Sequence, residues 1–148
     1  MFGRRGFTFV EFSYVISIIG VLVATLIPVY VTITAQDRDS DAKEALLLVR
    51  DAICIYSAEN DGAWPGADGS EDTFRRDLHK HLQTQFPRCP LGSAREKRGV
   101  EMVADEFTMR GELVGPQKAW KYNYESGEFI INFGGPLESD PETMYDEL

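Results

Sequence analysis

The sequence predicts an α+β fold in which one long N-terminal helix leads into a small exposed domain that ends in an antiparallel β-hairpin. Three observations support this prediction. Glu11 is the only charged residue between positions 6 and 36. Apolar residues recur at helical spacing over 42–56. Near the C-terminus, two segments rich in aromatic and β-branched residues flank a glycine turn, a pattern typical of a hairpin.

The apolar N-terminal segment, residues 7–36, is long enough for a membrane helix. As a helix, FTFVEFSYVISIIGVLVATLIPVYVTITA (residues 7–35) would extend about 43 Å, whereas the hydrocarbon core of a bilayer is about 30 Å thick. Arg4 and Arg5 precede it and acidic residues follow it, which predicts a cytoplasmic N-terminus and an exported remainder. A cleavable signal peptide has a shorter apolar core, so a plain anchor helix is the main alternative.

Glu11 is the informative residue of this segment. A carboxylate in a membrane helix is costly unless it is paired, protonated or close to the interface. The only cations nearby are Arg4 and Arg5 at the start of the chain. Either the side chain reaches the lipid headgroups, or its partner comes from outside the helix. Pro28, further along, lacks a helical hydrogen-bond donor and predicts a kink.

The helix is expected to continue beyond the apolar segment, to about residue 59. One face of this second half is apolar, formed by Ala42, Leu46, Val49, Ile53 and Tyr56. The Asn60–Gly62 run then supplies a helix end, with Gly62 as a candidate C-cap.

The remaining chain predicts a short helix, one strand and a hairpin. Four apolar residues recur at every fourth position and predict a helix over 71–84 with Ser70 as its N-cap: Phe74, Leu78, Leu82 and Phe86. A strand is expected within 100–109, and residues 119–124 and 128–133 form the hairpin. The acidic tail, residues 136–148, contains two prolines and is expected to be loosely ordered.

The segment GFTFVEFSYVISIIGVLVATLIPVY, residues 6–30, resembles the N-terminal processing and methylation segment of type IV pilins and type II secretion pseudopilins. Gly6 stands where the leader of that family ends, Phe7 where its mature chain begins, and Glu11 where its single membrane glutamate lies. The resemblance implies that a prepilin peptidase cleaves between Gly6 and Phe7 and methylates the new amine. The amine of an incoming subunit then pairs with Glu11 of its neighbour. It also implies a helix that loosens around Pro28 in a filament.

The soluble part resembles the major pseudopilins in three looser motifs: Trp64-Pro65, the F-P-x-x-P run Phe86–Pro90, and W-x-Y-N-x-x-x-G at Trp120–Gly127. The resemblance implies a pilin-like fold and a structural subunit of a type II secretion-type periplasmic pseudopilus, which supports protein secretion. Its implied partners are other copies of itself, related pseudopilins, the prepilin peptidase, an inner-membrane assembly platform and membrane lipid. A type IV pilus subunit for adhesion, motility or DNA uptake is one alternative, and a non-polymerising membrane-tethered binding protein is the other.

The expected location is the bacterial inner membrane, with a single pass, the N-terminus in the cytoplasm and the C-terminal domain in the periplasm. The expected organisation is a leader (1–6), a transmembrane or filament-core helix (7–36), an amphipathic continuation (37–60), a periplasmic domain (61–135) and the acidic tail (136–148).

Two cysteines would then lie in an oxidising compartment, which permits a disulfide. Cys54 falls on the long helix and Cys89 in the turn between Pro87 and Pro90. In the family that the chain resembles, both positions are more often polar, so gaining the two together suits a Cys54–Cys89 bond. Two separate thiols are the alternative, because spacing alone does not settle the pairing.

No cofactor is predicted. His79 and His81 point about 200° apart on a helix and cannot chelate one ion together. The resemblance implies calcium in a C-terminal loop, as in major pseudopilins, and carboxylate oxygens suit that ion. The tail has five carboxylates: Glu138, Asp140, Glu142, Asp146 and Glu147. They do not align with the calcium loop residue by residue, so a solvated acidic tail is favoured.

Catalysis and nucleic-acid binding are not expected. The chain of 148 residues has a net charge of -9, which opposes contact with a phosphate backbone. It has no G-x-S-x-G, H-E-x-x-H or glycine-rich phosphate loop. The sequence therefore predicts the substrate of a peptidase and not an enzyme.

Overall fold

The computed structural model describes residues 8–82, 85–91, 97–113 and 117–148, with the side chains of 26–32 left out. The chain divides into two compact units, Met1–Ala35 and Gln36–Leu148. Helix α1 (Phe9–Glu59) contributes its first part to the first unit and its remainder to the second. The expected α+β architecture, with a long N-terminal helix and a small sheet domain, is confirmed.

The second unit contains helix α2 (Glu71–Leu78) and a three-stranded sheet. Strands β1 (Val100–Val103), β2 (Trp120–Asn123) and β3 (Phe129–Ile131) lie in the order β1-β2-β3. The β2–β3 pair is antiparallel, which confirms the predicted hairpin. The β1–β2 pair is parallel, a feature that the sequence analysis did not predict.

The hairpin turn is built by one asparagine and one glycine. Buried Asn123 accepts hydrogen bonds at its side-chain oxygen from the backbone N–H groups of Glu125 (2.9 Å) and Ser126 (3.1 Å). Gly127 has a φ of 78°, a left-handed conformation that strains any residue with a Cβ. A side chain there would also collide with the indole of Trp64, so the turn requires glycine.

The core of the second unit lies between α1, α2 and the sheet. The predicted stripe of α1 is confirmed, because Ala42, Leu46, Val49 and Ile53 are buried. Opposite it stand aromatic rings in contact, with centroids 4.3 Å apart for Phe74–Tyr122 and 5.3 Å for Trp120–Phe129. Such ring pairs add to the stabilisation from buried area.

The helix predicted over 71–84 was too long. Helix α2 ends at Leu78 and not at residue 84, although Leu82 and Phe86 are buried as the periodicity required. The spacing therefore identified side chains of the core correctly, although Leu82 and Phe86 lie outside the helix. Residues 83 and 84 lie outside the described residues. The strand expected within 100–109 is confirmed as β1, which ends at Val103 before a 3-10 turn, Glu106–Thr108.

The acidic tail is not loosely ordered, contrary to expectation. Pro136 and Met144 form an isolated antiparallel bridge, and the tail closes in a 3-10 turn over Tyr145–Glu147. Leu137 and Tyr145 are both buried in the core cluster. Composition predicted a solvated tail, but the burial of these two side chains and the hydrogen bond from Tyr145 to Asp39 of α1 hold it in place.

Candidate assembly site

The first turn of α1 is closed by a reciprocal pair of side chains, Thr8 and Glu11. The Glu11 carboxylate accepts hydrogen bonds from the backbone N–H of Thr8 (2.8 Å) and from its hydroxyl (2.9 Å). In return, the Thr8 hydroxyl accepts the backbone N–H of Glu11 at 3.3 Å. This arrangement is a capping box, and its sequence signature, threonine followed three residues later by glutamate, was visible but missed in the sequence analysis.

The capping box gives Glu11 hydrogen-bond donors within its own chain. Over residues 8–82, 85–91, 97–113 and 117–148, none of the ion pairs includes it. The carboxylate is therefore oriented but not neutralised by a cation in the described chain. A helix N-terminus also favours a negative charge, so this site holds an anion in a fixed position.

Three more hydroxyls of the first unit, those of Ser13, Ser17 and Thr25, donate to backbone carbonyls of the helix. Ser13 donates to the carbonyl of Phe9 and Ser17 to that of Ser13, both at 2.8 Å. Thr25 donates to the carbonyl of Leu22 at 2.9 Å. Because these three hydroxyls are hydrogen-bonded to backbone carbonyls, they do not need water as a partner. The surface of this part of α1 is therefore formed mainly by apolar side chains.

That surface is exposed over its whole described length. Phe9 is 85% exposed, and ten more large apolar side chains are also exposed: Val10, Phe12, Tyr14, Val15, Ile16, Ile18, Ile19, Val21, Leu22 and Val23. A shallow cleft of about 290 Å³ runs along one side, lined by Tyr14, Ser17, Ile18, Val21 and Leu22. This i, i+3, i+4, i+7 spacing is the contact pattern of one helix packed against another.

Three other predicted features of the N-terminal segment are not tested. Gly6 and Phe7, the predicted cleavage site, lie outside the described residues. The backbone at Pro28 lies within α1, but its side chain is not described, so the kink stays a prediction. Searched over the described residues, no helix combines the length and the hydropathy that a membrane crossing demands. The membrane segment 7–36 likewise stays a prediction.

The Cys54–Cys89 bond that the sequence analysis expected is not formed in the structure. Both cysteines are free, and they lie in different environments. Cys54 is exposed on α1, whereas Cys89 is fully buried in the core. Burial raises the pKa of the Cys89 thiol, which keeps it protonated and unreactive.

In the second unit, the tail is joined to α1 by polar contacts from three residues. Arg38 pairs with Glu138 at 3.1 Å. Arg50 donates to the carbonyls of Phe129 (3.0 Å) and Leu148 (2.6 Å). These two arginines lie one on each side of the buried Asp39, so the tail contacts α1 over about three turns.

Asp39 is the central contact. Its carboxylate accepts the backbone N–H of Ser139 at 2.7 Å, that of Glu138 at 3.4 Å, and the hydroxyl of the buried Tyr145. Burial opposes the charged form, but these hydrogen bonds outweigh it, so the pKa of Asp39 lies below its usual range. Burial and the bond to Asp39 together raise the pKa of Tyr145.

Two further tail carboxylates, besides that of Glu138, have structural partners. Asp140 accepts the hydroxyl of Thr143 at 2.8 Å, and Asp146 accepts the backbone N–H of Gly111 at 2.9 Å. In the part of the chain that the structure describes, no three acidic, histidine or cysteine residues form a group that could hold a metal ion.

Comparison with known proteins gives one informative match. No protein-family profile and no solved structure matches the chain. A curated relative named "Fimbrial protein", from Neisseria meningitidis serogroup B (strain ATCC BAA-335 / MC58), is 39% identical over 70 residues. The match covers 45% of this chain and 39% of the length of that relative. It supports a pilin-like family without distinguishing a pilus subunit from a secretion pseudopilin.

Proposed function

We propose that this chain is a structural subunit of a pilin-like filament, assembled through the exposed helix of its first unit. The proposed filament is the periplasmic pseudopilus of a type II secretion-type system. In this proposal, a prepilin peptidase cleaves between Gly6 and Phe7 and methylates the new amine of Phe7, after which copies of the chain assemble with each other and with related subunits.

The observation that supports the proposal best is the apolar surface of α1. It exposes eleven large apolar side chains between Phe9 and Val23, while the hydroxyls of Ser13, Ser17 and Thr25 bond to the helix backbone. Full burial of one such side chain is worth about 1.5–3 kcal/mol, so the surface strongly favours an apolar environment. Packing of α1 against the helices of neighbouring copies supplies such an environment.

Before assembly, we propose that the same surface lies in the bacterial inner membrane, with the N-terminus in the cytoplasm and the second unit in the periplasm. Lipid and filament core are both apolar, so transfer between them costs little hydrophobic free energy. The prepilin peptidase and an inner-membrane assembly platform are the proposed membrane partners.

Glu11 is proposed to fix the register between copies. The capping box holds its carboxylate at the first turn of α1, where the methylated amine of Phe7 from the next subunit supplies the missing cation. Loss of one partner from such a buried pair costs about 3–5 kcal/mol, whereas loss of a helix cap costs about 1 kcal/mol. These two contributions can be separated by mutation.

The test uses two substitutions at the same position. Glu11→Gln keeps a capping-box partner, because glutamine serves at this position, but it removes the charge. Glu11→Ala removes both. We expect both variants to be processed and neither to form filaments, as scored by immunoblot of filaments released from lysed cells and by electron microscopy. Ser13→Ala, a polar change within the same turn, is the matched control and assembles normally.

Normal filament yield from Glu11→Gln together with loss in Glu11→Ala would show that Glu11 acts only as a helix cap. That outcome would overturn the charge-pair step. Normal yield from both variants would exclude any assembly role for Glu11.

The name of the similar protein favours a second candidate, a subunit of a surface fimbria. The two candidates share the same helix packing. They differ in whether the filament stays in the periplasm or extends from the cell surface. A deletion strain distinguishes them: loss of secreted proteins supports the pseudopilus, whereas loss of surface filaments with unchanged secretion supports the fimbria. In both cases the chain is proposed to be structural and not catalytic.

A further inference from the structure

A surface loop of the second unit displays an aromatic side chain. This display loop, residues 104–110, follows β1 and contains the 3-10 turn Glu106–Thr108. Phe107 at its tip is 92% exposed, although phenylalanine is usually buried. Its neighbours Asp105 and Glu106 are acidic and exposed.

The display loop is held by its own hydrogen bonds. The Asp105 carboxylate accepts the backbone N–H of Phe107 at 3.0 Å, and the Asp105 carbonyl accepts the hydroxyl of Thr108 at 2.7 Å. The next residue, Met109, donates its N–H to the carbonyl of Glu106 at 3.1 Å. These bonds fix the backbone on both sides of Phe107.

A buried lysine supports the loop from below. Lys121 of β2 donates to the carbonyls of Thr108 (3.1 Å) and Arg110 (2.9 Å) and lies 3.6 Å from the carboxylate of Glu101. Burial of an ammonium group is costly, and here its three donors are directed at loop and strand acceptors. The fold therefore uses a buried charge to hold a loop that exposes an aromatic side chain.

A rigid, exposed aromatic residue is well suited to anchor a partner. Aromatic side chains dominate the binding energy of many interfaces, and a loop that is already ordered loses little entropy on binding. Phe107 contributes nothing to the core cluster of this chain, so its exposure is not explained by the fold.

A second exposed apolar surface lies on the outward face of α1. Leu47 is 57% and Leu48 40% exposed, and they line a shallow cleft of about 480 Å³ together with Ser40, Lys43, Glu44 and Asp51. The core-facing stripe, including Leu46 and Val49, points away from this cleft.

The charges around the cleft favour one direction of approach. Lys43 borders it on the side of Leu47 by helical geometry, and no carboxylate in the described ranges pairs with it. Glu44 and Asp51 lie between Leu47 and Leu48 in projection and would repel an acidic loop. A display loop that approaches from the side of Lys43 is attracted by the ammonium group and stays away from the carboxylates of Glu44 and Asp51.

We propose that the display loop of one copy docks on the α1 cleft of the next copy, with Phe107 against Leu47 and Leu48 and with Glu106 facing Lys43. The two surfaces belong to different parts of the same chain, so the contact is heterologous and can repeat without closing, as a filament requires. This inference rests on the proposed function, because it names a contact within the proposed filament.

The test places a photo-crosslinker in the full-length chain. p-Benzoylphenylalanine replaces Phe107 and keeps an aromatic ring at the tip, and filaments are irradiated after assembly. Trypsin releases a peptide 99–110 that contains position 107 and a peptide 44–50 that contains Leu47 and Leu48. We expect a dimer adduct that joins these two peptides. The same crosslinker at Leu113, which is also exposed, serves as the control and gives no adduct with 44–50.

A charge exchange tests the orientation in the crosslinking chain. Lys43→Glu and Glu106→Lys are each expected to lower the adduct yield about twofold to fivefold, as one exposed ion pair allows. The double variant is expected to restore the yield.

Filaments in which position 107 crosslinks to another segment, to another protein or to nothing would overturn this inference and leave the proposed function standing. An unrestored yield in the double variant would overturn the predicted orientation. If no filaments form from the unmodified chain, the proposed function and this inference both fail.

Discussion

Replacement of Asp39 by alanine is expected to lower the free energy of unfolding by about 3 kcal/mol, because the tail loses its central contact with α1. The carboxylate is 3% exposed and accepts three hydrogen bonds. The hydroxyl of buried Tyr145 loses its acceptor at a cost of about 1–3 kcal/mol. The N–H groups of Glu138 and Ser139 lie in exposed residues and can bind water, so each adds less than about 1 kcal/mol.

Asparagine at the same position separates charge from hydrogen bonding. Asp39→Asn keeps one acceptor oxygen and loses the charge, so we expect a loss of about 1 kcal/mol, the difference between a charged and a neutral hydrogen bond. Asp41→Ala, two residues further on the exposed side of α1, is the matched control and should change stability by less than about 0.5 kcal/mol.

The assay is urea unfolding of the full-length chain in detergent, monitored by the fluorescence of its two tryptophans, Trp64 and the buried Trp120. The acid range gives a second readout. Because the pKa of Asp39 is below its usual range in the fold, its contribution is complete above the unfolded pKa of about 3.9 and is lost as the pH falls through the folded value. The stability gap between wild type and Asp39→Asn should therefore be constant above about pH 5 and shrink below about pH 4.

Equal stability of Asp39→Ala and Asp41→Ala would refute this account of the tail. A gap between wild type and Asp39→Asn that widens in acid would refute the direction of the pKa shift.

Three further predictions concern the second unit. Lys121→Met is expected to speed hydrogen exchange in the display loop by about tenfold or more, because the loop loses two hydrogen bonds, and unchanged exchange would show that the lysine does not hold the loop. Gly127→Ala places a Cβ at a φ of 78°, and this Cβ would lie 2.5 Å from the Trp64 ring. We therefore expect the free energy of unfolding to fall by more than about 2 kcal/mol in the same urea assay. An unchanged free energy would contradict the described geometry of the turn. The native reduced chain should react with one equivalent of a thiol reagent, at Cys54, and Cys89 should react only after unfolding; a count of two would contradict its burial.

The sequence predicted the elements whose side chains repeat at a fixed period. The stripe on α1 and the aromatic hairpin depend on local spacing, and both are confirmed. The helix predicted over 71–84 was wrong beyond Leu78, because the buried Leu82 and Phe86 fit a helical spacing without lying in the helix. Periodicity reports which side chains are buried more reliably than it reports the backbone between them.

Long-range contacts could not be predicted in the same way. The bonds from Asp39 to Ser139 and from Arg50 to Leu148 join residues about a hundred positions apart, and nothing in the acidic tail's composition indicates them. The parallel pairing of β1 with β2 depends on the path of the chain between them and not on either strand's pattern. The capping box of Thr8 and Glu11 could have been predicted, because its signature is local: a threonine followed three residues later by a glutamate. It was missed because Glu11 was interpreted only as a charge in a membrane helix.

The most direct test of the proposed assembly is mass spectrometry of the mature N-terminus, purified from the native membrane. Our proposal predicts a chain that begins at residue 7 with one methyl group on the amine of Phe7. A mature chain that retains Met1 and Gly6 would lack the amine that is proposed to pair with Glu11, and it would contradict the proposed mechanism of assembly.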